Sequence, residues 1–128
     1  MDDELDIGQL WDLLFGGASE ESCEEIVKLD RMLTEAEIPH DFIPKPGGYQ
    51  LVYYGKAGRP VPPEGKKYGA GVGAICSAIE VPGSYGYDND RIEIKGLLTS
   101  EESRIDRVKG DLTAEDVFAR IKKHWEEE

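Results

Sequence analysis

The sequence predicts an α+β fold, with a small antiparallel sheet of about three strands and N-terminal and C-terminal helices packed on one face. Apolar stripes at helical spacing occur near both ends of the chain, whereas segments of period two cluster in its middle. Consecutive strands flanked by helices favour an antiparallel sheet covered by those helices. A length of 128 residues fits one domain, 1–128.

The first helical stripe lies close to the N-terminus. Five apolar residues there share one helical face: Ile7, Leu10, Trp11, Leu14 and Phe15. Gly16 and Gly17 end the pattern. We interpret segment 1–18 either as a docking helix for another protein or as a helix that covers the protein's own sheet. Self-association through Trp11 and Phe15 is a further interpretation of the same stripe.

The second helix is predicted to begin at a serine cap, Ser19 or Ser22, and to end before Pro39. Four acidic residues occupy its first turns, where they suit the helix dipole: Glu20, Glu21, Glu24 and Glu25. Its buried stripe is predicted to be Ile26, Leu29, Leu33 and Ala36.

Strands are predicted over 48–54, 74–81 and 91–97, with Ile92 and Ile94 of the last one pointing inward. Thr99 and Glu102 have the spacing of a capping box, as do Thr113 and Asp116 at the start of the last helix. The apolar stripe of that helix is Val117, Phe118, Ile121 and Trp125.

The formal net charge of −12 is unevenly distributed. Residues 1–41 contain 13 acids and 2 bases, residues 42–73 contain 1 acid and 5 bases, and residues 74–128 contain 13 acids and 8 bases. Such a chain repels nucleic acids and anionic membranes and attracts basic protein surfaces, although acidity also serves solubility alone. The acidic start, MDDELD, differs from a secretion signal, and a cytoplasmic location is predicted.

A glycine- and proline-rich basic loop, residues 55–73, is unusually long for a structureless connection. We identify six candidate anion-binding residues in it: Lys56, Arg59, Lys66, Lys67, Gly69 and Gly71. The glycine spacing matches neither a Walker A loop nor a dinucleotide fingerprint. Protein contact and a flexible hairpin loop without a ligand remain alternative interpretations.

The loop after the second predicted strand contains candidate partner-binding residues: Tyr85, Tyr87, Asp88 and Asp90. Tyrosine is favoured at interfaces. The run from Asp88 to Asp90 lacks EF-hand spacing, and no metal or cofactor is predicted. Cys23 and Cys76 have no CxxC partner and are predicted to be reduced, buried packing residues. No catalytic residue is identified, and we do not expect an enzyme.

Several short segments together resemble a known group of proteins. They are Leu29-Asp30-Arg31-Met32-Leu33, residues 48–51 (GYQL), residues 76–80 (CSAIE), residues 83–86 (GSYG), residues 96–99 (GLLT) and residues 112–118 (LTAEDVF). The chain resembles the small acidic accessory proteins of phages and mobile elements of gut Firmicutes. That resemblance implies a bacterial cytoplasm and a mobile-element setting. Small acidic proteins that resemble anti-CRISPR and other anti-defence inhibitors are common in that setting, so an anti-defence role is expected by analogy from setting and charge. It transfers no functional residues, because no activity is established for the group.

Two functions follow as hypotheses. The first is a non-enzymatic binding protein whose acidic residues Glu20, Glu21, Glu24 and Glu25 block a basic surface, for example that of a host nucleic-acid-binding protein. The alternative is a small-molecule module that binds a nucleotide or another phosphate-bearing ligand through loop 55–73.

Overall fold

The computed structural model describes residues 23–67 and 72–128. Its helices and strands, in chain order, are α1 (Glu24–Glu35), β1 (Asp41–Lys45), β2 (Gly48–Tyr53), β3 (Cys76–Glu80), β4 (Ile92–Lys95), α2 (Ser100–Ile105), β5 (Val108–Leu112) and α3 (Ala114–Glu127). A single 3-10 turn, Tyr87–Asn89, precedes β4. The α+β class is confirmed.

The predicted number of about three strands is wrong, because the sheet has five strands within the described residues. Its order is β1-β2-β3-β4-β5, and every neighbouring pair is antiparallel. The two strands that sequence analysis missed are the two edges. β1 contains Pro44, which has no N–H for a ladder and is tolerated at an edge. β5, with the sequence VKGDL, has few apolar residues and a glycine at its centre.

One face of the sheet carries the hydrophobic core. Leu51 pairs with Ala78, and Ala78 pairs with Ile94, so that their side chains point to the same side. All three are fully buried against apolar residues of α1 and α3: Ile26, Leu29, Leu33, Val117 and Ile121. The predicted inward orientation of Ile92 and Ile94 is confirmed, since both are fully buried.

Some of the predicted N-terminal caps of the helices are present in the structure. Thr99 and Thr113 both form complete capping boxes, with Glu102 and Asp116 respectively, as predicted. Helix α1 begins at Glu24, after Cys23, which makes no side-chain capping bond. The predicted caps of this helix, Ser19 and Ser22, lie outside the described residues, as does segment 1–18 with Trp11 and Phe15.

Helix α2 is fastened to α3 by a bidentate ion pair. The guanidinium of Arg120 donates to both carboxylate oxygens of Glu102 at 2.8 Å, and it also donates to the carbonyl oxygen of Leu97. Arg120, together with the Thr99 N–H, lowers the pKa of Glu102 to about 2. The pair therefore stays ionised over the whole neutral range.

Loop 55–73 contains turns but neither helix nor strand in its described part. The N–H of Gly58 donates to Gly55, and that of Lys66 donates to Pro63. At Gly73 an added Cβ would lie 2.8 Å from the ring of Pro60, so two parts of the loop pack together. No helix in the described ranges has the length and apolarity that a bilayer crossing requires.

Candidate functional site

The start of α1 and the loop before β4 meet at one end of the sheet. The N–H of Glu25 donates to Oδ1 of Asp90 at 3.4 Å. Asp90 ends the 3-10 turn in a left-handed conformation, with φ of 55°. Aspartate tolerates that conformation better than most residues. The described start of α1 and the predicted partner-binding loop are therefore in contact.

A buried carboxyl group, that of Glu80, lies beneath this surface. Glu80 is the last residue of β3 and is 0% exposed. Its Oε1 accepts a hydrogen bond of 3.3 Å from the N–H of Ile26 in the first turn of α1. The first N–H groups of a helix have no partner within the helix. Glu80 thus supplies from the neighbouring strand the acceptor that the N-cap residue Cys23 does not provide.

The second oxygen of Glu80, Oε2, has no hydrogen-bond donor among the described residues. Burial, followed by the neighbouring carboxyl group of Asp90, raises the pKa of Glu80 to about 9. At neutral pH Glu80 therefore keeps its proton.

The thiol of Cys23 completes the buried layer. It donates to the carbonyl oxygens of Gly47 at 3.6 Å and Glu80 at 3.8 Å. Burial, then the charges of Glu80 and Asp90, raises the pKa of Cys23 to about 11. Cys76 is also buried, and its pKa is raised to about 12. Both cysteines are unpaired packing residues, as predicted, and neither has the thiolate character of a nucleophile.

The predicted acidic residues have different environments. Glu24 is exposed. Glu25 is half-buried, and its Oε1 accepts a 2.7 Å hydrogen bond from the N–H of Ala114, the first residue of α3. Glu25 therefore holds α1 and α3 together, so that its carboxylate is less accessible to a partner. Glu20 and Glu21 lie outside the described residues.

The predicted partner-binding residues of the loop before β4 differ in exposure and in hydrogen bonding. Tyr85 is 54% exposed, and its N–H donates to Oε1 of Glu93 at 2.7 Å. Tyr87 is half-buried, and its hydroxyl donates to the carbonyl oxygen of Gly47 at 3.1 Å. Asp88 is exposed. Tyr85 thus remains a free aromatic contact, whereas Tyr87 fastens the loop to the β1–β2 turn.

Three carboxyl groups of this region were missed by sequence analysis: Glu80, Glu93 and Asp111. Asp111 lies beside the loop, and its N–H contacts the carbonyl oxygen of Tyr85 at 3.5 Å. The sequence contains a signal for Glu80, since it has the same parity in β3 as the buried Cys76 and Ala78. Asp111 carries no local signal, because the pairing of β4 with β5 brings it to the loop, whereas Glu93 follows the loop in β4 and bonds Tyr85 across eight residues.

We define the acidic surface as the exposed and half-buried residues gathered at this end: Glu24, Glu25, Tyr85, Asp88, Asp90, Glu93 and Asp111. Gly110 shapes it, because an added Cβ there would lie 2.2 Å from Cβ of Tyr85. Cations lie close to these carboxyl groups. Arg91 donates to the carbonyl oxygens of Asn89 and Asp90, Lys28 pairs with Glu115 at 2.7 Å, and Lys28 and Arg31 line one hollow with Glu24 and Glu25. The surface therefore combines six carboxyl groups with several cations near an exposed tyrosine.

The candidate anion-binding residues of loop 55–73 do not converge on one point. Arg59 pairs with Asp41, and the ammonium of Lys56 lies 5.1 Å from the ring centre of Trp125. Lys66 and Lys67 are exposed. Gly69 and Gly71 lie outside the described residues. The described part of the loop thus contains no cluster of cations around a cradle.

Within residues 23–67 and 72–128, no group of three or more His, Cys, Asp or Glu side chains is placed to hold a metal ion. The two histidines have structural contacts. Nε2 of His40 lies 2.7 Å from Asp30, and Nδ1 of His124 lies 2.8 Å from the hydroxyl of Tyr53. These contacts tie a helix to a strand or loop and leave no described Cys–His pair.

Comparison with known proteins does not assign the chain to a family. No protein-family model matches the chain, and neither a curated protein nor a solved structure was found to match it. The phage or mobile-element setting therefore stays a prediction from the resemblance alone.

Proposed function

We propose that this protein is a non-enzymatic binding protein whose acidic surface covers a basic surface of another protein. The supporting observation is the meeting of the α1 start with the loop before β4, which joins Glu25 to Asp90 and brings Asp111 to the exposed Tyr85. An aromatic residue within a charged rim is typical of protein interfaces.

The support for a rigid surface comes from its buried layer. Glu80 and Cys23 hold the α1 start against β3 and the β1–β2 turn, and Tyr87 fastens the loop to the same turn. A surface fixed before contact loses less conformational entropy on binding. Clustered charge of one sign also accelerates association with a surface of the opposite sign.

The proposed partner is basic, and a host nucleic-acid-binding protein has the required charge. In the setting that the resemblance implies, the protein acts in the bacterial cytoplasm as an accessory or anti-defence inhibitor. Glu20 and Glu21 belong to the same proposal, because they immediately precede the α1 start in the sequence.

The test uses two variants with equal loss of charge. The surface variant carries Glu24→Gln, Asp88→Asn and Asp111→Asn, and the control carries Glu64→Gln, Glu101→Gln and Glu127→Gln, all at exposed positions. Tagged proteins are used to capture partners from bacterial lysate, and the affinity of each recovered basic protein is then measured.

We expect the wild type and the control to bind the same basic protein, and the surface variant to bind it at least about tenfold more weakly. Binding of the wild type should weaken as salt rises from about 0.05 M to about 0.5 M, because the Debye length shortens. Equal weakening in both variants would show that net charge, and not this surface, is responsible. Recovery of no basic protein at low salt would refute the proposal.

A further inference from the structure

A second region with binding chemistry lies on the other face of the sheet. Ser77 and Lys95 are paired across β3 and β4, next to the pair Ala78 and Ile94. Because Ala78 and Ile94 point into the core, Ser77 and Lys95 point to the opposite face. A cavity of about 640 Å³ opens there, between the sheet and the segment that contains α2.

The lining of this cavity combines cations, hydroxyl groups and apolar side chains. It contains Lys95 and Arg107, Ser77 and Ser103, and Ile75 and Leu98. None of the described lining residues is acidic, although the chain contains 27 Asp and Glu residues. In the described part of the chain neither Lys95 nor Arg107 forms an ion pair. The described lining therefore has a net positive formal charge in a chain of opposite overall charge.

The hydroxyl groups differ in what they can donate. Oγ of Ser77 accepts a 3.0 Å hydrogen bond from the amide nitrogen of Gln50, which leaves the hydroxyl proton of Ser77 available. Oγ of Ser103 donates to the carbonyl oxygen of Thr99 within α2, so its proton is already used. The donors left for a ligand are Lys95, Arg107 and Ser77.

Two backbone segments, at Gly96 and Ile75, approach each other closely and form one wall of the cavity. Gly96 follows β4 with φ of 95°, and an added Cβ there would lie 2.1 Å from the carbonyl oxygen of Ile75. A glycine is needed for that approach, which places Ile75 and Lys95 on neighbouring parts of the lining. Ile75 is itself held by a 2.9 Å hydrogen bond from its N–H to Tyr53.

We propose that this cavity binds a small organic phosphate monoester. The phosphate oxygens accept from Arg107, Lys95 and Ser77, and the apolar part of the ligand packs against Ile75 and Leu98. A guanidinium and an ammonium are the usual partners of a phosphate dianion. The volume lies in the range of small-ligand sites. The site is independent of the acidic surface, and either proposal can fail without the other.

The test is a calorimetric titration at about pH 7.5, where a phosphate monoester is mostly a dianion. The probes are phenyl phosphate, inorganic phosphate, benzoate and phenol. Phenyl phosphate should bind with a Kd of about 1 mM or lower. Inorganic phosphate and benzoate should each bind more weakly, because one lacks the apolar group and the other the second charge. Phenol should not bind measurably.

A matched pair of variants separates this site from general attraction. Lys95→Gln with Arg107→Gln should weaken phenyl phosphate binding at least about tenfold, the scale expected for losing charge-assisted hydrogen bonds. Lys122→Gln with Lys123→Gln removes the same charge from exposed positions of α3 and should leave the Kd unchanged. Unaltered melting temperatures will show that both variants fold.

Three results would overturn the proposal. They are equal Kd values for the two double variants, binding of phenol as strong as that of phenyl phosphate, and no binding of phenyl phosphate to the wild type. A Kd for inorganic phosphate equal to that for phenyl phosphate would also contradict it, because the apolar wall would then contribute nothing.

Discussion

Glu80 is an acceptor for a helix N-terminus and also a buried carboxyl group with a raised pKa. Through Oε1 it accepts from the first turn of α1, and it is buried close to the carboxyl group of Asp90. Its negative form is disfavoured by burial and by Asp90. The residue is therefore a neutral hydrogen-bonding link between β3 and α1, beneath the acidic surface.

The protonation of Glu80 predicts a pH dependence of stability. The pKa is about 9 in the folded protein, against an ordinary value of 4.5 for a glutamate, so the folded state binds the proton more tightly. The contribution of Glu80 is then complete below about pH 4.5 and is lost as the pH rises toward about 9. We expect Glu80→Gln to match the wild type near pH 5 and to exceed it in stability near pH 9, since glutamine resembles the protonated acid.

Urea denaturation at a series of pH values measures this effect. Glu80→Ala is the control, because it removes the acceptor of the Ile26 N–H and should cost about 1–3 kcal/mol even near pH 5. Parallel stability curves for the wild type and Glu80→Gln between about pH 5 and pH 9 would contradict a protonated Glu80.

The elements of the fold differ in how clearly the sequence indicates them. α1, α3 and the three inner strands have strong apolar periodicity, because each buries one face in the shared core. β1 and β5 bury little, and each is paired on one side only. Edge strands are commonly short, charged or interrupted by proline, features that also mark loops. Their positions became evident only from the pairing of Phe42 with Leu51 and of Ile92 with Leu112.

The two capping boxes give a prediction at the scale of the helix. Thr113 caps α3, whose residues Val117 and Ile121 are fully buried, whereas Thr99 caps α2, which has no buried residue. Loss of a threonine cap typically costs about 1 kcal/mol. We expect that loss in Thr113→Ala and a smaller one in Thr99→Ala, because α2 can fray without exposing core. Chemical denaturation at neutral pH compares the two, and an equal or greater loss in Thr99→Ala would be contrary to this view.

At the scale of the whole molecule, two separate regions have side chains suited to binding. The acidic surface lies at the start of α1, and the Lys95–Arg107 cavity lies on the face opposite α1 and α3, beside α2. Sequence analysis identified Glu24, Tyr85 and Asp88 from charge and residue type. It missed the cavity, because Ser77, Lys95 and Arg107 come from separate segments that only sheet pairing and the position of α2 bring together.

The charge of the whole chain predicts a response to salt. A net charge of −12 destabilises the folded state by self-repulsion, which dissolved ions screen. We expect the melting temperature to rise by a few degrees as NaCl increases from about 10 mM to about 200 mM. The variant with Glu24→Gln, Asp88→Asn and Asp111→Asn should respond less, because its repulsion is already relieved. A melting temperature that falls with salt would mean that attractive ion pairs dominate.

The proton on Glu80 also changes what the molecule exchanges with its solvent. The formal charge counts every carboxyl group as ionised, whereas the folded protein retains one proton in its interior at neutral pH. An unfolded chain would release that proton, so folding near pH 7 takes up a hydrogen ion from the buffer. The heat of unfolding should therefore differ between buffers in proportion to their enthalpies of ionisation. Calorimetry in several buffers would thus detect the protonation of this one buried side chain.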